Sequence, residues 1–290
     1  MQNKLNKIAK DTNDFLKIFI NKQKKTNLIS PMQYGLFPGG KKIRSKILID
    51  IGKIFRSNYK ILIRVGAAVE CIHAYSLIHD DLPCMDNDNL RRGKPSTHIK
   101  FGESTAVLAG NSLLLMAFEI LSDSKLKISE KKKIYLIKML SECSGHTGIA
   151  GGQFLDLSYE KKRISKRNII DMEIKKTGKL FSFCCMAPAI LKSKDKKVIN
   201  FLKKLGYEIG LLFQIADDLI DYKGSTKKAG KKTRKDQKKG KATLISLLGY
   251  KNAVKYSDKI KFNITNKLKK YRNHSKDIND TLNYIVKRSK

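Results

Sequence analysis

The sequence predicts an all-α fold, and three observations support that prediction. Apolar residues recur at helical spacing through most of the 290 residues, and no alternating pattern typical of a β-strand runs for any length. Only five prolines occur, so long segments are free of helix breakers. No linker rich in proline, glycine and serine divides the chain, which favours a single domain spanning residues 1–290.

Seven segments carry the helical pattern. Residues 60–82 and 105–121 are apolar around most of their circumference, which predicts two long and largely buried helices. Residues 131–143, 167–191, 196–222, 243–260 and 276–288 show the same period. Turn-forming or lysine-rich stretches separate these segments at 37–42, 82–97 and 223–241.

The composition limits the class of protein. A formal charge of +35 suggests nucleic acid as a partner, but only ten of the 61 basic residues are arginine, the residue that base readers and phosphate clamps favour. The lysine is spread along the whole chain, so we expect no specific nucleic-acid partner. Five cysteines without zinc spacing indicate a reduced, cytoplasmic protein. The longest apolar runs, such as 180–191, are too short to predict a membrane span.

The first acidic cluster is the stretch HDDLPCMDND at residues 79–88. Asp80 and Asp81 end an apolar helix, and Asp86 follows six residues after Asp80, which is not the spacing of one helical face. Pro83 disfavours helix at Leu82, so the backbone can leave its regular path and return Asp86 towards Asp80.

The second acidic cluster is DDLID at residues 217–221. Asp217 and Asp221 are four residues apart and stack on one helical face, with Asp218 beside them. A single pair of this kind would be a solvated helix end. Two clusters on apolar flanks in a strongly basic chain instead predict buried carboxylates that need cations. Hard oxygen ligands suit Mg²⁺ or Mn²⁺, and two facing clusters indicate a diphosphate held between them.

Basic and polar residues accompany these clusters. Lys41 and Arg44 follow a glycine turn, and His73 lies two helical turns before Asp80. Taken alone, His73 would be a core histidine and Lys41 another surface lysine. Arg91 and Arg92 follow the first acidic cluster. Lys176 and Thr177 lie in the stretch KKTGKL at residues 175–180.

In this order, the motifs resemble those of the trans-prenyltransferases, also called polyprenyl diphosphate synthases. The resemblance runs from about residue 30 to the C-terminus. It rests on MQYGLFPGGKKIRS, ECIHAYSLIHDDLPCMDNDNLRRGKPSTH (70–98), GGQFLDL (151–157), KKTGKL, FQIADDLID (213–221) and GKATL (240–244). Four residues between the aspartates of the first motif are typical of the bacterial form. Four residues depart from the pattern. Ser45 stands where proline is usual, and the other three are Asn111, Lys179 and Arg234.

The resemblance implies an isoprenoid synthase fold, in which more than ten helices surround a deep central cavity, and a homodimer. It implies three Mg²⁺ ions, with Mn²⁺ as an alternative, held by Asp80, Asp86 and Asp217. Asp81, Asp218 and Asp221 would support these ligands.

The resemblance also implies two substrates. Arg91 and Lys176 would bind an allylic diphosphate, and Lys231 and Lys241 would close over it. Isopentenyl diphosphate would be bound by Lys41, Arg44, His73 and Arg92. Thr177 and Gln214 would lie where the allylic cation develops.

The expected reaction joins isopentenyl diphosphate to dimethylallyl and then geranyl diphosphate, giving (2E,6E)-farnesyl diphosphate. Tyr75 and Ser76 lie one turn before Asp80, on the wall that the growing chain meets, and a bulky Tyr75 would stop elongation at fifteen carbons. Geranyl or geranylgeranyl diphosphate is the rival product.

Three further classes of protein share part of this pattern. A terpene cyclase would carry a similar first aspartate motif, and a non-catalytic subunit of a heteromeric synthase would share the fold. The two intact aspartate motifs argue against both. A basic helical protein that binds nucleic acid would share the charge, but the diffuse lysine argues against it.

Overall fold

The computed structural model of the protein describes residues 1–223 and 240–287, and this part of the chain is helical almost throughout. The predicted all-α class, with more than ten helices, is confirmed. The α-helices are α1 (Gln2–Asn21), α2 (Ile29–Leu36), α3 (Ile43–Ile54), α4 (Tyr59–Asp80), α5 (Thr97–Phe101), α6 (Glu103–Ser122), α7 (Glu130–Ser144), α8 (Ile149–Ser158), α9 (Lys166–Glu173), α10 (Lys179–Leu191), α11 (Lys196–Tyr222), α12 (Leu244–Leu248), α13 (Tyr250–Leu268) and α14 (Lys276–Lys287).

Three local features differ from the sequence prediction. The segment predicted as one helix over 167–191 is interrupted by a π turn at Ile174–Gly178, which separates α9 from α10. The segment predicted over 243–260 is divided at Gly249, whose φ of 74° lies outside the helical region. A hairpin of two short strands, β1 (Leu90–Arg91) and β2 (Lys94–Pro95), follows the first acidic cluster.

Side chains define where several helices begin. The Asn58 side chain accepts hydrogen bonds from the backbone amides of Lys60 and Ile61 at the start of α4. The Asp195 carboxylate accepts one from the amide of Val198 at the start of α11, at 2.8 Å. Short polar side chains are preferred at these positions because they satisfy amides that lack an intrahelical partner.

The core is built around α4, α10 and α11. Helix α4 packs against α3 and α6, and α10 lies against α3, α7 and α11. Every residue from Leu180 to Leu191 is buried, including Pro188, so α10 is surrounded by protein on all sides. Four of the five cysteines are buried in this core, and Cys84 is exposed. The predicted deep central cavity stays a prediction.

Two of the described helices are long and apolar enough to cross a membrane, contrary to the expectation that no stretch would be. They are α4 and α6, and 67% and 44% of their apolar windows are buried inside the protein. The two helices pack against each other. Core helices of this kind meet the same criterion, so the finding is weak evidence for a membrane span.

A fully buried ion pair anchors α3. Lys46 and Asp50 are both completely buried, four residues apart on one helix, and the Lys46 ammonium donates to the Asp50 carboxylate. The Thr281 hydroxyl of α14 donates to Asp50 at 2.6 Å, so the pair also holds the last helix. Burial raises the pKa of Asp50, and the charge of Lys46 opposes that rise. Removing one partner would leave a buried charge without compensation.

We predict that Lys46→Ala lowers the free energy of unfolding by about 3–5 kcal/mol, because Asp50 would lose its buried counter-charge. The matched control is Lys53→Ala, which removes a lysine of the same helix whose side chain is 44% exposed. That change should cost about 1 kcal/mol or less. Denaturant titration followed by circular dichroism measures both. Equal destabilisation by the two substitutions would contradict the prediction.

Candidate active site

The first acidic cluster folds back on itself at the end of α4. The Asp86 amide donates to the Asp80 carbonyl at 2.8 Å, and the Asp88 amide donates to the Asp81 carbonyl at 3.0 Å. The chain leaves the helix just before Pro83 and returns, as its sequence predicts. Two backbone hydrogen bonds therefore hold Asp80 and Asp86 beside each other despite their irregular spacing.

Arg91 pairs with this cluster from strand β1. Its Nε donates to the two oxygens of the Asp81 carboxylate at 3.0 and 3.1 Å, and its Nη2 also contacts Asp81. Nη2 lies 3.6 Å from the Asp88 carboxylate. Burial raises the pKa of Asp81, and the Arg91 charge opposes that rise. The Arg91 guanidinium thus compensates the negative charge of Asp81, the carboxylate next to Asp80.

The second acidic cluster lies near the end of α11. Asp218 and Asp221 are buried, and Asp217 is half-buried. The Gln214 amide donates to Asp218 at 2.8 Å, and Gln214 accepts a hydrogen bond from the Thr177 hydroxyl at 3.0 Å. This chain of hydrogen bonds connects the cluster to the π turn.

The π turn connects the two clusters. Its Lys176 ammonium donates to the Asp156 carboxylate at 2.5 Å, and its charge acts on both Asp80 and Asp86. The next residue, Thr177, begins the hydrogen bonds that reach Asp218. π turns of this kind are rare and frequently occur at functional sites.

Asp156 is a site residue that the sequence analysis did not select. Its carboxylate accepts hydrogen bonds from Lys176 and from Lys241, the latter at 3.1 Å, and Lys241 also donates to Asp86 at 2.9 Å. Burial tends to raise the pKa of Asp156, but the two ammonium groups lower it to about 2. The signal for this residue lies in GGQFLDL, where Asp156 is the only acidic position.

The raised pKa of Asp80 indicates that its carboxylate needs a cation nearby to stay ionised. Burial raises its pKa to about 7, the nearby Lys176 charge opposes the rise, and Asp86 adds to it. Within residues 1–223 and 240–287, no three acidic, histidine or cysteine side chains converge as a metal-binding group. Ammonium groups contact two of the carboxylates, because Lys176 pairs with Asp156 and Lys241 pairs with both Asp86 and Asp156. The donors are oxygen atoms only, which fits Mg²⁺. Asp80, Asp86 and Asp217 stay the predicted ligands of the ion, and Asp81, Asp218 and Asp221 stay their predicted supports.

Three basic residues, Arg44, His73 and Arg92, form a second charged group. The Arg44 guanidinium lies 4.9 Å from the centre of the Phe181 ring and 5.7 Å from that of Phe213. Burial lowers the pKa of His73 well below its ordinary value, and the charges of Arg44 and Arg92 add to that effect. Arg44, His73 and Arg92 therefore lie close enough for the charges of the two guanidinium groups to act on the imidazole. A neutral imidazole beside two guanidinium groups is suited to an anionic ligand.

The absence of a side chain at Gly40 lets Arg92 approach the loop GGKK at residues 39–42, called the GGKK loop below. Gly40 has a φ of 119°, and a Cβ at this position would lie 1.6 Å from a guanidinium nitrogen of Arg92. Any side chain at residue 40 would displace Arg92.

The two lysines of the loop have different positions. Lys42 is buried, donates to the Leu36 carbonyl at 3.2 Å and lies 3.8 Å from the Glu70 carboxylate. Lys41 is exposed and donates to the Tyr284 hydroxyl. Glu70 also accepts hydrogen bonds from the Ser45 amide at 3.1 Å and its hydroxyl at 3.0 Å. Proline could supply neither donor, which gives Ser45 a structural role.

The remaining predicted site residues are the two of the chain-length wall, Tyr75 and Ser76, and the two lysines predicted to close over the diphosphate, Lys231 and Lys241. Tyr75 is half-buried on α4, with its ring 5.1 Å from that of His79, and Ser76 is buried with its hydroxyl donating to the His73 carbonyl at 3.0 Å. A cavity of about 500 Å³ is lined by Asp218, Asp221 and Lys241, among other residues. Lys231 lies outside the described residues.

Glycines allow the helices around the π turn to approach each other. A Cβ on Gly152 of α8 would lie 2.1 Å from the backbone nitrogen of Lys176. A Cβ on Gly210 of α11 would lie 2.5 Å from the Cα of Gly178. Because these backbones are in contact, Lys176 reaches Asp156 and Thr177 reaches Gln214.

Comparison with known proteins identifies the family to which this sequence is similar. The sequence model of the polyprenyl synthetase family matches residues 25–285. The chain is 39% identical to the Escherichia coli protein named farnesyl diphosphate synthase over 270 residues, which covers 91% of this chain and 90% of that protein.

Solved structures agree with this match. A crystal structure from Zymomonas mobilis, described as an FPP/GFPP synthase in its apo form, has a TM-score of 0.87 and 35% identity, and the match covers 98% of both chains. A geranyltransferase from Helicobacter pylori, complexed with magnesium and isoprenyl diphosphate, has a TM-score of 0.83 and 29% identity. That match covers 99% of this chain and 97% of the other.

We predict that Gly152→Ala lowers the free energy of unfolding by about 1–3 kcal/mol, because the new methyl group would force α8 away from the π turn. Gly178→Ala is the matched control, since its Cβ would meet its nearest neighbours at 3.5 Å, an ordinary contact. The control should be neutral or slightly stabilising. Denaturation midpoints measure the difference, and equal midpoints for the two variants would contradict the close contact.

Proposed function

The chain belongs to the polyprenyl synthetase family, and from this premise we propose that it makes (2E,6E)-farnesyl diphosphate. The enzyme is a prenyltransferase that condenses isopentenyl diphosphate with dimethylallyl diphosphate and then with geranyl diphosphate. The match to the Escherichia coli farnesyl diphosphate synthase over nine-tenths of both chains supports the fifteen-carbon product.

One observation carries the proposal, namely that a single π turn connects two clusters of buried carboxylates. Lys176 of that turn acts on the first cluster, and Thr177 connects to the second through Gln214. An arrangement of carboxylates with nearby ammonium groups is suited to a ligand that brings both negative charge and metal ions. An allylic diphosphate with its metal ions is such a ligand.

The enzyme uses Mg²⁺, and our proposal includes three ions per site and Mn²⁺ as a substitute. The ion, when bound, supplies positive charge that stabilises the diphosphate as a leaving group. Lys176 and Lys241 would turn from Asp156 and Asp86 towards the diphosphate oxygens. Arg91 would contribute from its position on Asp81, and Lys231 remains a predicted part of this group.

The chain's own residues would then control the allylic cation. The oxygens of Thr177 and Gln214 are aligned by their mutual hydrogen bond and can face the developing positive charge. Arg44, His73 and Arg92, with Lys41, would hold isopentenyl diphosphate so that its double bond attacks the cation. A new carbon–carbon bond forms, and a proton leaves to the released diphosphate. Apolar walls of the predicted central cavity would exclude the water that quenches such a cation.

We also propose a cytoplasmic homodimer. Helix α6 leaves the apolar side chains of Val107, Leu108 and Leu115 exposed. Exposed apolar side chains on one helix are typical of an interface with a second protein, and a second copy of the chain would cover them.

The product assay tests the proposal directly. Purified protein is incubated with Mg²⁺, isopentenyl diphosphate and dimethylallyl diphosphate, and the dephosphorylated products are separated by chromatography. We expect a dominant fifteen-carbon alcohol. A dominant twenty-carbon product would replace the product assignment, and the absence of condensation would contradict the proposed activity.

We predict that Asp80→Ala lowers kcat/KM by about 100-fold or more, because the metal and the developing charge lose a ligand at the end of α4. Asp14→Ala is the control, since Asp14 is an exposed aspartate of α1. Steady-state kinetics measure both variants. Similar activity of the two would remove Asp80 from the proposed metal site.

We predict that Tyr75→Ala shifts the products towards twenty carbons or longer. The substitution removes a half-buried ring from the wall of the path in which the chain would grow. The same chromatography measures the product distribution, and Tyr271→Ala controls for the loss of a half-buried tyrosine elsewhere. An unchanged fifteen-carbon product from Tyr75→Ala would show that another residue limits the chain length.

A further inference from the structure

The last described helix presents a polar stripe to α3. Asp277, Thr281 and Tyr284 are spaced by four and three residues, so they lie on one face of α14. The neighbouring positions Ile278 and Leu282 are buried in the core. The stripe runs antiparallel to α3 and ends beside the GGKK loop.

The first contact of the stripe is made by Asp277. Its carboxylate accepts hydrogen bonds from Lys4 at 2.6 Å and from Lys53, near the end of α3, at 2.5 Å. Burial tends to raise the pKa of Asp277, but these two lysines lower it to about 2. The beginning of α14 is therefore attached to both α1 and α3.

The second contact is made by Thr281, which is fully buried. Its hydroxyl donates to the Asp50 carboxylate at 2.6 Å and accepts from the Lys46 ammonium at 3.1 Å. This fixes the rotation of α14, because a hydroxyl between two buried charges has one position that satisfies both.

The third contact is made by Tyr284, one turn further along the helix. Its ring is half-buried against the core. The Lys41 ammonium donates to the Tyr284 hydroxyl and lies 4.8 Å from the centre of the ring. A long, exposed lysine side chain is thus held at its charged end by an aromatic residue that is distant in sequence.

We propose that Tyr284 is a positioning residue for Lys41, and that α14 thereby sets one side of the isopentenyl diphosphate site. This inference rests on the proposed function. An ammonium group has three donors, so one bond to Tyr284 leaves two for phosphate oxygens. Holding the side chain before the substrate arrives reduces the conformational freedom lost on binding. Lys41 would reach the diphosphate from a position determined by the C-terminal helix.

The test compares Tyr284→Phe, which keeps the ring, with the wild-type enzyme. We expect the KM for isopentenyl diphosphate to rise about fivefold, the usual effect of one hydrogen bond. The kcat and the KM for geranyl diphosphate should stay within about twofold, because Lys41 does not contact the allylic substrate in this account. Tyr271→Phe is the control, since Tyr271 contacts Phe55 and Phe201 rather than Lys41.

A double-substitution cycle distinguishes positioning from a general structural effect. Lys41→Met alone should raise the KM for isopentenyl diphosphate, and adding Tyr284→Phe should raise it no further, because Tyr284 acts through Lys41. Additive effects would overturn the inference.

The outcomes separate this inference from the proposed function. A normal KM in Tyr284→Phe, together with a raised KM in Lys41→Met, would overturn the role of Tyr284 and leave the proposed function intact. A normal KM in Lys41→Met would overturn the role of Lys41 and, with it, the inference. No condensation by the wild-type enzyme would overturn both.

Discussion

The structure depends on one electrostatic constraint, which is that carboxylates buried among apolar helices need positive charge close by. Asp80 shows the need most clearly, since burial raises its pKa to about 7. Asp156, which contacts the π turn through Lys176, shows the opposite state, because two ammonium groups lower its pKa to about 2. In this state lysines supply part of the compensation. A diphosphate that arrives with metal ions can take over those lysines and give the aspartates divalent cations instead.

Backbone geometry makes this exchange of partners possible. The π turn directs Lys176 towards the first cluster and Thr177 towards the second, and it tolerates close neighbours because Gly152 and Gly210 carry no side chain. The hairpin of β1 and β2 positions Arg91 so that it donates to Asp81. The absence of a side chain at Gly40 leaves space for the guanidinium of Arg92. The two lysines that would change partners, Lys176 and Lys241, lie in the π turn and in the segment before α12, where the regular helices are interrupted.

Much of the fold and site follows from local sequence, and the rest depends on distant contacts. The return of Asp86 to Asp80 is predictable because Pro83 lies between them, and the burial of Asp218 and Asp221 follows from helical spacing. The pairing of Asp156 with Lys241 joins residues 85 apart in sequence, so no local pattern reveals it. The exposed Lys41 could not be distinguished from the buried Lys42 either, because their difference depends on Glu70 and on a helix at the other end of the chain.

The most direct test of the account measures the coupling between metal and diphosphate. Isothermal titration with inorganic diphosphate is carried out on the whole protein with and without Mg²⁺. If the carboxylates need cations that the diphosphate brings, Mg²⁺ should raise the affinity for diphosphate by about 100-fold, and diphosphate should raise the affinity for Mg²⁺ equally. The same diphosphate affinity with and without Mg²⁺ would contradict the account, because the lysines alone would then bind the anion.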